Sequence, residues 1–436
     1  MANQIQVPWG KESLSIDLPA EWQITGCLEP STSAAPVDVE KEVLKALVSP
    51  VMAPALQNLI KPGLKIAIVI DDLSRPTPVS KILPVVLKSI IAVGAEISQI
   101  VVIPALGVHR PMTDEEVRFR MGDDVPHDLQ WESHDCDNSE KMKFLGTTSR
   151  GTPVWVNKTT AESDLIISIG CIEPHIIASF GGGYKNLIPG VAGRTTIAHN
   201  HAINCQPDTF NMVGQPIDQN PMRMDLEEGA AMIGKQIFII NAVLNSSLQP
   251  VSIVAGDPIA AHREGSRTSA DIYGAPIANM ADVVITSSHP MDSDLRQGVK
   301  ALANTIRAVR PGGVMITLAR AEEGTGVFGL ANKKLPLGRK ALKLLSPILL
   351  PLVPKLKLKG MGEEDKFFLY FALQAMRRCR LLLYAPTIPA SVHENLVFVE
   401  FINSPAAGIE IARQKFPAKA DVAIFPHGGM TYPILD

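Results

Sequence analysis

The chain has 436 residues, of which 46% are hydrophobic and 5% aromatic, so we expect two or three domains with large, mainly aliphatic cores. The net charge of −3, without a basic block at either end, argues against nucleic acid as the main partner. Five scattered cysteines without C-x-x-C spacing argue against a disulfide framework or a zinc ribbon and indicate a reducing compartment.

Targeting and membrane signals are weak. The N-terminus lacks the basic-then-apolar pattern of a signal peptide, so we predict a cytoplasmic protein. The most apolar long stretch, residues 341–358, carries three prolines and several lysines, and its uncharged core is too short to span a bilayer. This stretch could lie on a membrane surface, but we favour a helix and loop packed on the second domain, with no membrane partner.

The first half of the chain alternates strand and helix patterns. Residues 4–18 alternate apolar and polar side chains around Gly10, which predicts a hairpin. A helical pattern over 37–60 is interrupted near Pro54, and Ser80 begins another. Apolar runs bounded by polar residues predict buried parallel strands at 65–70, 100–103 and 165–169.

The second half repeats this pattern. Strand-like runs at 236–242 and 251–255 precede a polar segment, 256–277, that is helical or looped. A second α/β unit is predicted beyond Gly274. Its strands are expected at 282–286, 314–318, 380–384, 396–401 and 421–425.

This alternation predicts an α/β fold of two domains with largely parallel, Rossmann-like sheets flanked by helices, and an active site in the cleft between them. We place the first domain at 1–273 and the second at 274–415. We expect a C-terminal tail at 416–436 to dock on one of the sheets, with the first domain a candidate.

The segment from Glu173 to His201 combines three histidines, a lysine, an arginine and five glycines. Three adjacent glycines, residues 181–183, are typical of a tight loop whose backbone N–H groups approach an anion. Each histidine alone could simply be a locally hydrogen-bonded side chain, so the combination carries the argument. His199 and His201 would share a face on a strand but not on a helix.

Polar residues follow three predicted strands. Asp72 and Arg75 follow the first, His109 the second, and His175 with Lys185 the third. Ligands of parallel α/β sheets bind beyond the carboxyl ends of the strands, so these residues are expected to meet in one crevice. Neither G-x-G-x-x-G nor G-x-x-x-x-G-K-[ST] is present, which disfavours an ordinary NAD enzyme or a P-loop NTPase.

A cationic helix is predicted after the strand at 282–286. Arg296 and Lys300 are four residues apart and share a face, with Gln297 beside them. Two such cations indicate an anion site. A solvated surface with Asp292 and Asp294 as counterions is the alternative.

Five blocks of sequence together resemble the nickel-pincer lactate racemase family of 2-hydroxyacid racemases and epimerases. Their order and spacing fit the family from about residue 64 to the end. They are D-D-L-S-R-P-T-P, A-L-G-V-H-R, E-P-H, G-G-G-Y-K-N-L-I-P-G with the following H-N-H, and P-M-D-S-D-L-R-Q-G-V-K.

The resemblance implies a pyridinium mononucleotide whose two sulfur-containing arms hold nickel, bound covalently at Lys185 as a thioamide. His201 would be the fourth nickel ligand, and His109 and His175 the acid–base pair. The remaining positions would line the cofactor pocket (Asp72, Gly182 and Gly183) or bind substrate (Arg75, Arg296, Gln297 and Lys300). Proteins that make the cofactor are the implied partners, so a recombinant sample made without them is expected to lack it.

The implied reaction inverts C2 of a 2-hydroxy acid by reversible hydride transfer. Arg296 stands where the lactate enzymes carry a tyrosine, which predicts a more polar substrate, either a malate-like dicarboxylate or a sugar acid such as gluconate. Lactate or another short 2-hydroxy acid is the alternative. Phe367 aligns where the family tends to carry a tryptophan near the cofactor.

Two other classes compete with this interpretation. A non-catalytic cofactor- or metal-binding protein would keep the fold without turnover. A zinc hydrolase would use the same histidines, but the sequence lacks H-E-x-x-H and has few carboxylates beside them apart from Glu173. The sequence leaves the oligomeric state open, a homo-oligomer included.

Overall fold

The fold is built on two six-stranded sheets covered by helices. The computed structural model describes residues 3–31, 34–326, 328–355 and 365–435. Parallel strand pairs dominate both sheets, which confirms the predicted α/β class with Rossmann-like sheets.

The first sheet contains the strands that precede the predicted site residues. Its strands are parallel except for the edge strand Pro250–Gly256, which runs antiparallel to its neighbour. Its middle strands are buried over their full length because helices cover both faces, so they consist mainly of Ile, Val and Leu. The order is Pro250–Gly256, Gln236–Leu244, Leu165–Cys171, Ile66–Asp71, Ile100–Ala105 and Gln130–Trp131.

The helical patterns predicted over 37–60 and from Ser80 correspond to helices in the structure. The pattern over 37–60 splits into two helices on either side of Pro54, as predicted. Thr113 and Glu116 form the capping box of the fourth helix. The helices are Val39–Val48, Leu56–Leu59, Val79–Ile91, Asp114–Met121, Lys158–Glu162, Arg194–Ala202, Pro221–Ala231 and Ala260–Tyr273.

The second sheet is parallel throughout. Its order is Glu400–Phe401, Arg380–Tyr384, Val309–Leu318, Ala281–Ser287, Asp421–Phe425 and Gln23–Cys27. The helices of this half are Leu295–Thr305, Arg339–Leu349, Asp365–Arg378, Ala390–His393 and Pro405–Lys415.

Four small strand pairs and several single turns of 3₁₀ helix complete the fold. The predicted N-terminal hairpin is present as Asn3–Trp9 paired with Glu12–Leu18. The other pairs are Met142–Thr147 with Pro153–Asn157, Pro174–His175 with Ser179–Phe180, and Gly274–Ile277 with Tyr432–Leu435. The 3₁₀ helices are Ile97–Gln99, Ser139–Lys141, Gly183–Asn186, Ile217–Gln219, Ile306–Ala308, Gly329–Asn332 and Val353–Lys355.

Two sequence predictions need adjustment. The strand predicted over 396–401 is wrong for most of its length, because only Glu400–Phe401 pairs, at the edge of the second sheet. The stretch 341–358 lies in the helix Arg339–Leu349 and the turn after it, and its last three residues fall outside the described part of the chain. No helix in the described ranges is long and apolar enough to cross a bilayer.

The two ends of the described chain lie together in the second sheet. Gln23–Cys27 pairs with Asp421–Phe425, which is an inner strand next to Ala281–Ser287. The division of the chain into domains at 273 and 415 stays a prediction.

Candidate active site

Nearly all the residues singled out from the sequence line one cavity. They are Asp72, Arg75, His109, His175, Gly182, Lys185, His201, Arg296, Gln297 and Lys300. Gly183 lies just behind them, and its N–H donates to Asn241 Oδ1 at 2.8 Å.

The topology explains why these residues meet. The strands Ile66–Asp71, Ile100–Ala105 and Leu165–Cys171 are parallel neighbours, so the loops after them open at one edge. The helix Leu295–Thr305 carries its three polar residues to the same cavity from the second half of the chain. The helix Arg194–Ala202 presents His201, while the Nδ1 of exposed His199 bonds to the carbonyl of its own helix.

Asp72 and His109 form a hydrogen-bonded pair, with 2.6 Å between Oδ2 and Nδ1. Burial raises the pKa of Asp72. The hydrogen bond and charge of His109 lower it, as do the hydrogen bond from Ser74 and the charge of Arg75, and the resulting pKa is about 2. Asp72 is therefore an anion that accepts the Nδ1 proton of His109. The Nε2 of His109 is left with a lone pair on the cavity side, and this lone pair accepts a hydrogen bond from Arg296 Nη1 at 3.0 Å.

His175 is held in the other tautomer. Its Nδ1 accepts the backbone N–H groups of Ile177 and Ala178, both at 3.2 Å. Burial, followed by the charges of Lys185 and Arg75, lowers the pKa of His175 well below its usual value. A neutral imidazole that accepts at Nδ1 carries its proton on Nε2. This Nε2 lies 3.0 Å from Lys185 Nζ.

Lys185 lies in surroundings that favour its neutral amine form. Burial, with the nearby charges of Arg75 and Arg223, lowers its pKa well below the usual value for lysine. A neutral amine has the lone pair that a nucleophile needs. Gly182, whose φ is 73°, directly precedes the 3₁₀ helix Gly183–Asn186 that carries Lys185. A Cβ at Gly182 would lie 2.6 Å from Ile172, so this close approach of the backbone requires glycine.

Glu173 is a site residue that sequence reasoning did not select. It accepts a hydrogen bond from Arg75 Nη1 at 2.7 Å and lies 3.7 Å from Lys300 Nζ. Burial raises the pKa of Glu173, but Lys300 and Arg75 together lower it below the usual value. Its position two residues before His175 was the available signal.

The proposed counterions Asp292 and Asp294 have other partners. Asp294 caps the helix Leu295–Thr305 by accepting Gln297 N at 2.8 Å, and Asp292 accepts Gly10 N at 2.8 Å. Glu173 is the carboxylate that faces Lys300. The alternative of a solvated cationic surface is therefore wrong.

Two buried basic side chains contact the backbone of the triglycine loop, which is the loop around the three adjacent glycines 181–183. Arg223 is fully buried and donates to the carbonyls of Phe180 at 2.8 Å and Gly182 at 3.3 Å. His262 Nε2 lies 2.8 Å from the carbonyl of Gly181. Both stand in ordinary helical segments, so no spacing in the sequence pointed to them.

Apart from the helix Leu295–Thr305, the second half of the chain lines the cavity with hydrocarbon side chains. The residues that form this apolar wall are Phe328, Leu330, Phe368, Phe371, Leu383 and Phe398. Phe367, which the family resemblance placed near the cofactor, lies buried and edge-on to Phe368, with 6.0 Å between ring centroids. Its neighbour Phe368 is the residue that reaches the cavity.

Known proteins share this sequence and architecture. The lactate racemase N-terminal domain family matches residues 9–211. The lactate racemase of Thermoanaerobacterium thermosaccharolyticum is 34% identical over 333 residues, which cover 76% of this chain and 77% of that protein. The lactate racemase of Lactiplantibacillus plantarum is 30% identical over 333 residues, covering 74% of this chain and 76% of that protein.

Solved structures agree with these relatives. The lactate racemase apoprotein from Thermoanaerobacterium thermosaccharolyticum superposes with a TM-score of 0.84 at 27% identity, and covers 100% of both chains. A crystal structure of a Thermotoga maritima protein has a TM-score of 0.66 at 17% identity, covers 92% of this chain and 100% of its own, and supports the fold alone.

An α/β fold with buried histidines, a lysine of lowered pKa and clustered cations in one cavity is typical of an enzyme active site. The relatives identify which kind. The chain belongs to the lactate racemase family, and it is an isomerase of the racemase type. The predicted family and enzyme class are confirmed.

Proposed function

We propose that the protein inverts C2 of a 2-hydroxy acid by reversible hydride transfer, using a nickel-pincer nucleotide attached to Lys185. The observation that carries this proposal is the pair of imidazoles in one cavity, of which His109 presents a lone pair and His175 an N–H. An oxygen that alternates between hydroxyl and carbonyl needs both an acceptor and a donor of protons.

The residues present fit this cofactor. The lowered pKa of Lys185 favours the neutral amine, which is the form that attaches covalently to an acyl or thioacyl group. Burial, followed by the charges of Lys185 and Arg296, lowers the pKa of His201 to about 3, so its imidazole is neutral and able to bind nickel. When bound, the nucleotide supplies the hydride acceptor and the other nickel ligands.

A metal held by protein side chains alone has less support. Within the described ranges, no three His, Cys, Asp or Glu side chains are grouped closely enough to hold a metal ion. A zinc hydrolase normally needs three such ligands. A cofactor that brings its own donors needs only one, and His201 provides it.

The cations of the cavity bind the substrate carboxylate. Arg75 and Lys300 face the cavity on either side of Glu173, which partly neutralises them and fixes their positions. Arg296 extends this cationic surface to within 3.0 Å of His109 Nε2. A carboxylate held here places the neighbouring hydroxyl group beside the imidazole that accepts its proton.

The two histidines then manage the proton of the C2 hydroxyl group. As the C2 hydrogen leaves with its electron pair, His109 Nε2 accepts the hydroxyl proton, and the anion of Asp72 stabilises the imidazolium. The Nε2–H of His175 donates a hydrogen bond to the developing carbonyl oxygen. The keto acid turns within the cavity before the hydrogen returns to its other face. His109 then gives the proton back to the oxygen, so the proton that it accepted is accounted for.

The test combines intact mass, metal analysis and racemisation, on protein produced together with the cofactor-making proteins. We expect an adduct on Lys185, one nickel per chain and exchange at C2 of 2-hydroxy acids. The His109→Ala variant should keep the adduct and lose racemisation. Protein without adduct or nickel, or a His109→Ala variant with undiminished activity, would refute the proposal.

A further inference from the structure

The residues of the apolar wall belong to the hydrophobic core beside the second sheet and also line the cavity. Phe328 and Leu330 come from the segment before and within the 3₁₀ helix Gly329–Asn332, and Leu383 from the strand Arg380–Tyr384. Phe368 and Phe371 come from the helix Asp365–Arg378. Each of these residues except half-buried Phe368 is at most 7% exposed. The wall is therefore part of a packed core that also faces the cavity.

Ring contacts fix the shape of the wall. Phe328 and Phe368 meet edge-on with 6.0 Å between ring centroids, and Phe371 packs against Phe210 at 5.8 Å. Aromatic pairs at these separations hold each other in defined orientations. The wall is preformed, as binding pockets for apolar groups usually are.

The wall side chains offer no nitrogen or oxygen to a ligand. The charged and polar groups that line the cavity come from the first-sheet loops and from the helices Arg194–Ala202 and Leu295–Thr305. A hydroxyl or carboxylate buried against the wall would lose its hydrogen bonds to water without replacement. A hydrocarbon group there would be removed from water, which is favourable.

Arg296, the residue that suggested a more polar substrate, is turned to the reacting end of the cavity. Its Nη1 lies 3.0 Å from His109 Nε2, and its Cζ lies 5.9 Å from the centroid of Phe368. The guanidinium thus stands between the catalytic imidazole and the wall. In this position it serves the carboxylate of the substrate and leaves the wall to the substituent at C3.

We propose that the preferred substrate is a 2-hydroxy acid with a bulky hydrocarbon substituent, aryl or branched alkyl, and that the apolar wall sets this preference. The inference rests on the proposed racemase function. It predicts a hydrocarbon substituent where a dicarboxylate or a sugar acid carries polar groups. One panel of substrates therefore distinguishes these possibilities.

The panel compares 3-phenyllactate, lactate, malate and gluconate on nickel-loaded enzyme. We expect kcat/KM for 3-phenyllactate to exceed the others by roughly ten- to a hundredfold, the range that an added apolar group contributes in a matched pocket. Preference for malate, gluconate or lactate would overturn the inference and leave the racemase function standing. Turnover of none of them by enzyme with the Lys185 adduct would overturn the racemase function.

A binding measurement on the apoprotein gives a second readout. In saturation-transfer difference NMR, the ring protons of 3-phenyllactate should receive saturation from the protein, and the Leu330→Gln substitution should weaken this transfer at least threefold. Equal transfer in the wild-type protein and the Leu330→Gln variant would overturn the proposed contact, whatever the loaded enzyme does.

The matched variants are Leu330→Gln in the wall and Leu344→Gln on the helix Arg339–Leu349, where the side chain is 79% exposed and outside the cavity. Leu330→Gln should lower the ratio of kcat/KM for 3-phenyllactate to that for lactate at least tenfold, and Leu344→Gln should not change it. If Leu330→Gln does not fold, the conservative Phe371→Leu replaces it and should lower the ratio at least threefold. An unchanged ratio would overturn the inference. A folded Leu330→Gln variant that no longer forms the Lys185 adduct would also overturn it, and would assign the wall to the cofactor instead.

Discussion

The cavity has two sides of opposite character. The polar side is formed by the loops of the first sheet and by the helices Arg194–Ala202 and Leu295–Thr305, and the apolar wall lies beside the second sheet. On the polar side each functional group is held by another charged or polar group, as in Asp72 with His109 and Glu173 with Arg75. On the apolar wall the side chains are held by packing, for example Phe371 against Phe210.

Because of this difference, substitutions on the polar side should act mainly on the reaction, and substitutions on the apolar wall mainly on stability. On the polar side, an exchange that keeps the shape and the hydrogen-bonding capacity of a side chain should change reactivity more than folding. The wall residues belong to a core, where lost contacts reduce the free energy of unfolding directly. Substitutions on the two sides should therefore fall into two classes, which the following variants examine in decreasing order of expected effect.

The largest effect is expected from Lys185→Ala. Without the amine there is no covalent attachment, so both the adduct mass and racemisation should be lost. The exposed Lys88→Ala variant is the control and should keep both. Intact mass spectrometry and C2 exchange measure the two properties. A Lys185→Ala variant that racemises at the wild-type rate would show that attachment is not through this lysine.

The Asp72→Asn variant should lower kcat by roughly 10²- to 10⁴-fold, because the amide no longer stabilises the Nδ1–H tautomer or the imidazolium of His109. KM should change much less than kcat, and the Lys185 adduct should remain. Asp128→Asn, an exposed carboxylate, is the matched control. A change in kcat of less than threefold would mean that Asp72 does not position His109.

On the apolar wall, Phe371→Ala should lower the free energy of unfolding of the apoprotein by about 3 kcal/mol through lost burial and the space left behind. Phe119→Ala, at a side chain that is 77% exposed, should cost less than about 0.5 kcal/mol. Denaturant titration compares the two variants with the wild-type protein. Equal costs would show that the wall is not part of the packed core.

The smallest expected effect is on the stability of the apoprotein at acidic pH. In the folded protein the pKa of His201 is lowered to about 3. Between pH 6.5 and pH 3 the unfolded chain therefore binds a proton at His201, whereas the folded protein does not. This difference in proton binding lowers the free energy of unfolding of the apoprotein as pH falls from 6.5 toward 3. His201→Asn should remove on the order of 1 kcal/mol of the stability lost between pH 7 and pH 5. The exposed His127→Asn variant should lose as much stability as the wild-type protein. Identical losses in both variants would place a protonated His201 in the folded state.

The sequence was most informative about the polar side. Polar residues directly after apolar runs marked the ends of parallel strands, and the carboxyl-end rule alone predicted that Asp72, His109 and His175 share one crevice. The same rule included Lys185. The family resemblance added the roles of Lys185 in cofactor attachment and of His201 in nickel binding, and both roles stay predictions.

The apolar wall could not be predicted in this way. Its members are spread from Phe328 to Phe398, and an apolar residue that lines a cavity has the same sequence pattern as one in a core. The run 396–401 was for this reason predicted as a strand. Arg223 and His262 were missed because their partners are backbone carbonyls of the distant triglycine loop, a contact that leaves no spacing signal in the sequence.

The pairing of the two chain ends has a consequence for biosynthesis. The Thr25 hydroxyl donates to the Val422 carbonyl at 3.1 Å across 397 positions of sequence. Strand Asp421–Phe425 separates Gln23–Cys27 from the rest of its sheet, so the N-terminal strand has no edge to join in a nascent chain until that late segment leaves the ribosome. The second sheet must therefore close after translation of almost the whole chain, through contacts of very high sequence separation. Linking the two ends and opening the chain at a surface loop elsewhere would make that closure local.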